Sequence, residues 1–561
     1  MRLCAHLIIC TLAACLSGCI VGPDYFRPHT EVPQEWRPDE STTAELQAEA
    51  CWWLGFGDST LDQLMSEAVD NNLSLREAAL RIAQARYQRC VVRGDLFPQF
   101  DGETAYNFQK QPTTGGLTGQ LVGDDGGGGG FQFDDTFDQY SMGLNGSWEI
   151  DIFGRLRRNV QAARAEVCAS VWAYRDTMVL MLAEVATNYV DARAFQRRLA
   201  IAQENLKAQQ RSLEITQKRF EAELISELDV AQARANVETT RAEIPTLEIG
   251  YQQAVNRLSV LLGRAPGYVD ELLSGSQPIP QPPGEVAVGI PADLLRRRPD
   301  IRQAEYTLVA QVARIGAAKA DLFPSLSLTG SFGVQSQRVN NLFTDNSISA
   351  NVGPTLRWNL LNFGRVRCNI RLQDALATEY VAAYQRTVLE AAEEVDNALI
   401  NYTRQQKRQS ALADSVAALE RAVELAVTQY QRGTVDFQRV LDSQRSLLQA
   451  QDQLATTEGE VTASLIELYR ALGGGWDCPQ QREQIVAVIP LGEIELPTTP
   501  EPVPTDAVEG LDAPQLPTDQ PEPANAPLEL EEPTLEPMPE LENPLKLDDV
   551  LLLPTVPEPI E

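Results

Sequence analysis

Residues 148–159 read WEIDIFGRLRRN, and residues 358–369 read WNLLNFGRVRCN. Each opens on a tryptophan, sets Phe-Gly-Arg five residues later and runs on into basic residues. One chain thus carries the same junction twice, 210 residues apart. Before each junction the sequence alternates with period two. Ile348, Ala350, Val352, Pro354, Leu356, Trp358 and Leu360 interleave with Ser349, Asn351, Thr355, Arg357 and Asn359. Tyr140, Met142, Leu144, Trp148 and Ile150 do the same with Ser141, Asn145, Ser147 and Glu149. Such alternation gives strands with one apolar and one polar face. After each junction neither proline nor glycine occurs for dozens of residues, which reads as a long helix.

The junction belongs to a larger duplication. DLFPQF at Asp95 returns as DLFPSL at Asp321, and LLG ending at Gly263 returns as ALG ending at Gly473. The offset is 226 up to the first strand and 210 from Gly154 to Gly263. The difference of 16 falls in TTGGLTGQLVGDDGGGGG, a glycine-rich loop without the lysine of a phosphate-binding loop. Each copy orders a helical stretch (60–96 and 292–322), a Phe-Pro stop, two strands, a long helix, a short turn and a returning helix. The strand beginning SLSLTGSFGV at Ser325 alternates cleanly, and FDGETAYNF at Phe100 does so weakly.

The first long helix, from Arg155 to about Phe220, would span close to 100 Å at ~1.5 Å per residue. Val185, Ala192, Leu199, Leu206, Leu213 and Phe220 recur every seven residues, as on a coiled-coil seam. Val395, Tyr402, Gln409, Val416, Val423 and Tyr430 repeat that phase. Pro245 is expected to kink the return helix of the first copy.

The apolar strand face meets either a second sheet, in a soluble sandwich, or lipid, in a membrane barrel whose polar face lines a lumen. In lipid, four strands leave open edges whose unpaired backbone groups cost several kcal/mol each, so chains must pool their strands. Two chains give eight strands and a filled barrel; three give twelve and a lumen. On the membrane reading Trp148 and Trp358 suit the membrane–water boundary, Gly154 and Gly364 allow a sharp change of direction, and the arginines after them lie at the polar level.

The N-terminus is a targeting segment, with Arg2, the apolar run LCAHLIICTLAACL, and LSGC ending at Cys19. This fits a lipoprotein processing site that leaves Cys19 as an acylated first residue; the alternative is an ordinary signal peptide with a chance cysteine. Cys51, Cys90, Cys168, Cys368 and Cys478 show no metal-ligand spacing and read as lone thiols packed on helices. With only two histidines, His6 and His29, neither a histidine-based catalytic site nor a histidine-ligated metal is expected. The net charge of −31 argues against nucleic acid. Much of it is terminal: Arg482 to Glu561 holds 19 acidic and 2 basic residues, and 18 of the 34 prolines lie from Pro479 onward. Such a segment buries too little to fold.

LSGCIVGPDYFRP, WWLGFGDSTLDQL, WEIDIFGRLRRNV, IPADLLRRRPDIRQAE, DLFPSLSLTGSFG, FQRVLDSQRSLL and LYRALGGGW follow one another between residues 16 and 476. The chain thereby resembles the outer-membrane factor family, the TolC-like outer-membrane efflux proteins, and within it the NodT-type lipoproteins. The resemblance implies a mainly α protein with membrane β structure. Each duplicated protomer would give four strands to a trimeric twelve-stranded outer-membrane barrel and long antiparallel helices to a periplasmic α-helical barrel. It implies a homotrimer docked to a periplasmic adaptor (membrane-fusion) protein and an inner-membrane efflux transporter, with no cofactor beyond lipid such as palmitate on Cys19. It also implies that the turns Glu221–Ser226 and Gln431–Asp436 form the periplasmic tip.

Asp442 matches the family's gate-region aspartate, and Gln438 stands where some relatives carry an occluding leucine. Glu223 replaces the usual turn glycine kept by Gly433, so the first turn is expected to differ in shape. A three-fold axis would gather Asp436, Asp442, Glu227 and Asp229 into carboxylate rings that attract cations, or Ser226 and Asp436 simply cap helices. The expected organisation is a signal peptide (1–18), an N-terminal lipid-anchored segment (19–59), a first repeat (60–263), a proline-rich linker (264–290), a second repeat (291–476) and an acidic tail (477–561). The function expected is a passive exit duct for small molecules. A protein-secretion channel and a lipid-anchored coiled-coil scaffold with soluble strands are the alternatives.

Overall fold

The structure, a computed structural model, describes residues 20–30, 51–110, 136–275, 277–282 and 297–478. The signal peptide, Cys19, the glycine-rich loop, part of the linker and all but the first two residues of the tail lie outside them.

The chain order is α1 (Ser59–Asn71), α2 (Leu73–Gly94), β1 (Gln99–Lys110), β2 (Thr136–Ile150), α3 (Arg155–Glu221), α4 (Glu227–Leu261), α5 (Pro299–Ala320), β3 (Ser325–Ser336), β4 (Ile348–Arg357), α6 (Arg365–Gln431) and α7 (Phe437–Ala471). The duplication is visible element by element: α3 and α6 have 67 residues each, and α4 and α7 have 35 each. The helical stretch expected over 60–96 is broken at Asn72. Its side chain accepts from Leu75 N (2.9 Å) and donates to Leu261 O (2.7 Å), so the break caps α2 and ties it to the end of α4. Pro245, expected to kink α4, lies inside a single helical element. It is exposed, and having no N–H it leaves the Arg241 carbonyl without its intrahelical partner while the element continues to Leu261.

The four strands form one antiparallel sheet in the order β1-β2-β3-β4. Register separates the faces over most of the sheet; at the loop end of the first hairpin Lys110, Thr136 and Asp138 fall on the apolar side. Leu356, Leu326 and Ile150 share one row, Ala350, Phe332, Leu144 and Gly102 another. Between them run polar rows such as Asn351, Ser331, Asn145 and Asp101. A slip of one residue would exchange the faces, so the pattern fixes the pairing.

The main core sits where the middles of α3 and α6 meet α1, α4 and α7. Met178, Leu182, Val185 and Tyr189 of α3 pack there with Leu64 and Leu465. Trp52 stacks on Tyr469 with ring centroids 5.4 Å apart. In this core Cys51 and Cys478 form a disulfide that bridges 427 residues of sequence. The lone-thiol expectation therefore fails for these two. Their elements meet only in the folded chain, so spacing carried no sign of it. Cys90, Cys168 and Cys368 are free.

The seven-residue seam of α3 buries Val185 and Ala192 but is kept only in part toward the tip, where Leu213 packs against the cluster around Tyr430. Ile201, Asn205, Gln209, Ser212 and Thr216 are buried, whereas Leu206 and Leu213 are half-buried and Phe220 is exposed. The buried positions advance by four, four, three and four, close to the natural helical period, while along α6 the seven-residue positions Val395, Tyr402, Val416 and Tyr430 stay buried.

The two tip turns share one geometry, contrary to the expectation from Glu223. Glu223 adopts φ +59° and Gly433 φ +75°. In each, the residue's own N–H and the next one reach back to the helix: Glu223 N to Phe220 O and Leu224 N to Arg219 O, against Gly433 N to Tyr430 O and Thr434 N to Gln429 O. The helix-ending hydrogen bonds thus hold a glutamate in the left-handed region at about 1–2 kcal/mol.

Two outcomes follow. Non-reducing proteolysis should yield a peptide joining Cys51 to Cys478, and Cys51→Ser should lower stability by about 2–5 kcal/mol in denaturant titration. Glu223→Gly should raise the unfolding midpoint while Gly433→Ala lowers it; a midpoint lowered by Glu223→Gly would show that the left-handed turn is not strained.

Candidate functional site

Two regions carry the expected functional residues: the strand-to-helix junctions and the helical tip. At the junctions Trp148 donates its indole N–H to Leu96 O (3.0 Å), and Trp358 donates to Leu322 O (3.1 Å). Each tryptophan therefore ties the end of one strand to the end of the helix that precedes the hairpin. Gly154 and Gly364 follow at φ +83° and +85°, as the N-cap residues of α3 and α6. No side chain larger than hydrogen enters that conformation without strain.

The arginines after Gly154 are not simply at a polar level. Arg155 forks onto Glu149 (3.2 and 2.7 Å) and Arg157 binds Asp151 (3.2 Å). Arg158 is buried and donates to Val21 O (3.1 Å), Gly22 O (3.2 Å) and Asp24 Oδ1 (3.0 Å). Its charge is accommodated because carbonyls of a distant segment converge on its donor fork. That segment, residues 20–30, begins immediately after Cys19. Val21 N donates to Phe153 O (3.2 Å), a Cβ on Gly22 would meet Gly316 Cα at 2.3 Å, and Arg27 forks onto Glu305 (2.8 and 2.7 Å). The stretch after Cys19 is thus clamped between α3 and α5 at the level of the first junction. The basic run was legible in the sequence, but the identity of its acceptors was not.

At the tip α3 ends at Glu221 and α4 starts at Glu227; α6 ends at Gln431 and α7 starts at Phe437. Asp436 and Ser226 occupy N-cap positions, yet neither side chain makes a capping hydrogen bond. Asp436, Asp442 and Glu227 are exposed and Asp229 is half-buried. Gln438 donates Nε2 to Asp442 Oδ1 (2.9 Å), one helical turn apart on the exposed face of α7. The gate pair predicted from sequence is therefore one local polar unit.

Sequence reasoning missed the contact that joins the two turns. Arg219 donates to Tyr430 O and lies over its ring, 4.6 Å from the centroid. Tyr430, Phe437, Val440, Leu441 and Ala233 pack beneath it. The duplicates of Arg219 and Tyr430 are Gln429 and Phe220, so this clasp is built once per chain.

The buried titratable groups lie elsewhere. Burial pushes the Asp176 carboxyl up to about 6; Asp300 adds to the shift, and Arg298 and Arg470 oppose it. Arg298, also buried, binds Asp300 (2.8 Å) and Glu394 (2.9 Å), a network that holds α5 to α6. Among the described residues no cluster of histidine, cysteine, aspartate and glutamate is placed to hold a metal, and no helix is long and apolar enough to cross a membrane.

The sequence model of the outer membrane efflux protein family matches residues 64–264 and 290–474, the two copies of the duplication. The cation efflux system protein CusC of Escherichia coli O6:H1 is 32% identical over 479 residues, 85% of this chain and 100% of CusC. The outer membrane protein OprJ of Pseudomonas aeruginosa is 33% identical over 83% of this chain and 95% of its own. Among solved structures, the outer-membrane channel OprN superimposes with a TM-score of 0.72 at 33% identity, covering 82% of this chain and 100% of OprN. CusC superimposes with 0.69 at 31% identity, covering 82% of this chain and 100% of that structure's. Family members are channel proteins rather than enzymes. The chain belongs to the outer membrane efflux protein family, and its duplicated helix–hairpin protomer is that of an outer-membrane efflux channel.

Proposed function

We propose that three copies of this chain close a twelve-stranded barrel in the outer membrane and a helical tunnel below it. In this reading the tunnel is a passive duct for small molecules, fed by an inner-membrane transporter through a periplasmic adaptor. The observation that carries the reading is the four-stranded sheet itself: one face is predominantly apolar from β1 to β4, and both edges lack a neighbour within the chain. Such a sheet is stable in hydrocarbon only when its edges are paired. Acyl chains on Cys19 would anchor the protomer beside its first junction, since Ile20 and Val21 already lie against Gly154 and Phe153. Related proteins are named for cation efflux and for toluene efflux. One channel architecture serving such different cargo fits a duct whose selectivity comes from the pump that feeds it.

At the tip, Asp442 faces outward from α7 with Gln438 beside it, and a three-fold axis would turn one exposed carboxylate into a ring. Rings of carboxylates at a narrow mouth concentrate cations.

The purified protein in detergent should run as a trimer by light scattering and form pores in planar bilayers. A monomer that stays soluble without detergent would overturn the duct. In the same bilayers Asp442→Ala should weaken block by multivalent cations or raise the leak; unchanged conductance and block would remove Asp442 from the gate.

A further inference from the structure

Within one chain the first copy of the duplication already meets the second. β2 pairs with β3, from Tyr140 opposite Ser336 to Ile150 opposite Leu326. Phe153, after the first junction, stacks on Phe323 with centroids 4.6 Å apart and planes at 15°. Beyond the junction α3 packs on α5 through Ala162, Ala165, Ala310 and Ala313.

The two hairpins are also superposable in register. Gln99 faces Ser147, and their duplicates Ser325 and Arg357 face each other. β1 and β4 are the free edges of the sheet. In a closed ring of identical copies, β4 of one subunit meets β1 of the next, which is the duplicate of the meeting between β2 and β3.

Resting on the closed assembly proposed above, we infer that this seam repeats the β2–β3 register on the duplicated residues. Thr355 then stands opposite Ala105 of the partner subunit, Arg357 opposite Glu103 of the partner subunit, and Phe363 stacks on Phe97 of the partner subunit.

Three observations support it. The carried-over register keeps both faces intact: Val352 falls opposite Phe108 of the partner subunit and Pro354 opposite Tyr106 of the partner subunit, all on the apolar side. Phe363 and Phe97, the duplicates of a stacked pair, are 101% and 56% exposed in the single chain. Phe363 is also held at φ +48°, one of two non-glycine residues in the left-handed region among those described. Finally, the neutral pair Ser147–Thr329 inside the chain becomes Arg357 and Glu103 across the seam. Opposite charges directly across a strand pair stabilise it, and here they distinguish the seam between subunits from the one within. On the helices the exposed Leu372 and Tyr87 duplicate the packed Ala162 and Ala313, so a second copy covers them too.

The test is disulfide trapping in the full-length chain, with Cys90, Cys168 and Cys368 changed to serine and the Cys51–Cys478 bridge kept. Thr355→Cys with Ala105→Cys should give covalent trimers after mild oxidation, collapsing to monomer on reduction. Thr355→Cys with Glu103→Cys, or with Asn107→Cys, tests a shift of two residues either way and should remain largely uncrosslinked. Separately, Arg357→Glu should lower the temperature at which the trimer dissociates, and adding Glu103→Arg should restore it. A trimer by light scattering that crosslinks only through a shifted pair, or through none of the three, overturns the register and leaves the trimer standing. A monomer in detergent overturns the register and the closed assembly together.

Discussion

A strand edge in hydrocarbon has no solvent to satisfy it, and the rest of this protein is arranged around that constraint. The sheet of one chain pairs three of its strand junctions internally and leaves two edges open. Its apolar face crosses all four strands from Ile150, Leu326 and Leu356 to Leu144, Phe332 and Ala350, and in hydrocarbon the backbone groups at the open edges need partners. Assembly is therefore a condition for placing the sheet in a membrane rather than a later elaboration. The long helices inherit the same geometry, because each hairpin is bolted to its helices by a tryptophan at the strand end and a left-handed glycine at the helix start.

Duplication turns that constraint into a rule for building. Two copies with matching hairpin register and matching helix lengths make the contact within a chain a template for contact between chains. The copies differ where their surroundings differ. Only the first junction is clamped by the segment following Cys19, and only the first copy supplies the arginine that clasps Tyr430. A ring of such chains alternates two kinds of joint.

The core changes character along the helices. Around the Cys51–Cys478 bridge it is aromatic and aliphatic, closed by Trp52, Tyr469 and Leu465. Toward the tip the buried line of α3 is Asn205, Gln209, Ser212 and Thr216, with Gln444 donating to Ser212 Oγ (2.8 Å). Polar side chains of this kind gain little from close packing and can exchange partners. Beyond that polar line the tip closes on a second apolar cluster, Tyr430, Phe437, Val440 and Leu441, clasped by Arg219.

The sequence by itself determined the strands, the turns and the duplication, because each rests on local chemistry. Alternation fixes which side of a strand is apolar, Phe-Pro ends a helix, and repeated words reveal a repeated unit whatever the fold. The family resemblance was legible for the same reason. What the tertiary structure decided was every feature that depends on which distant groups meet. Cys51 and Cys478 pair because the chain ends of the two copies converge in one core. Arg158 is buried because the carbonyls of Val21 and Gly22 arrive to accept from it. Glu223 adopts a glycine's backbone because the helix-ending hydrogen bonds outweigh its intrinsic preference, and the seven-residue positions stay mostly buried along α6 but only in part along the tip half of α3. In each case the sequence supplies one partner and the fold supplies the other.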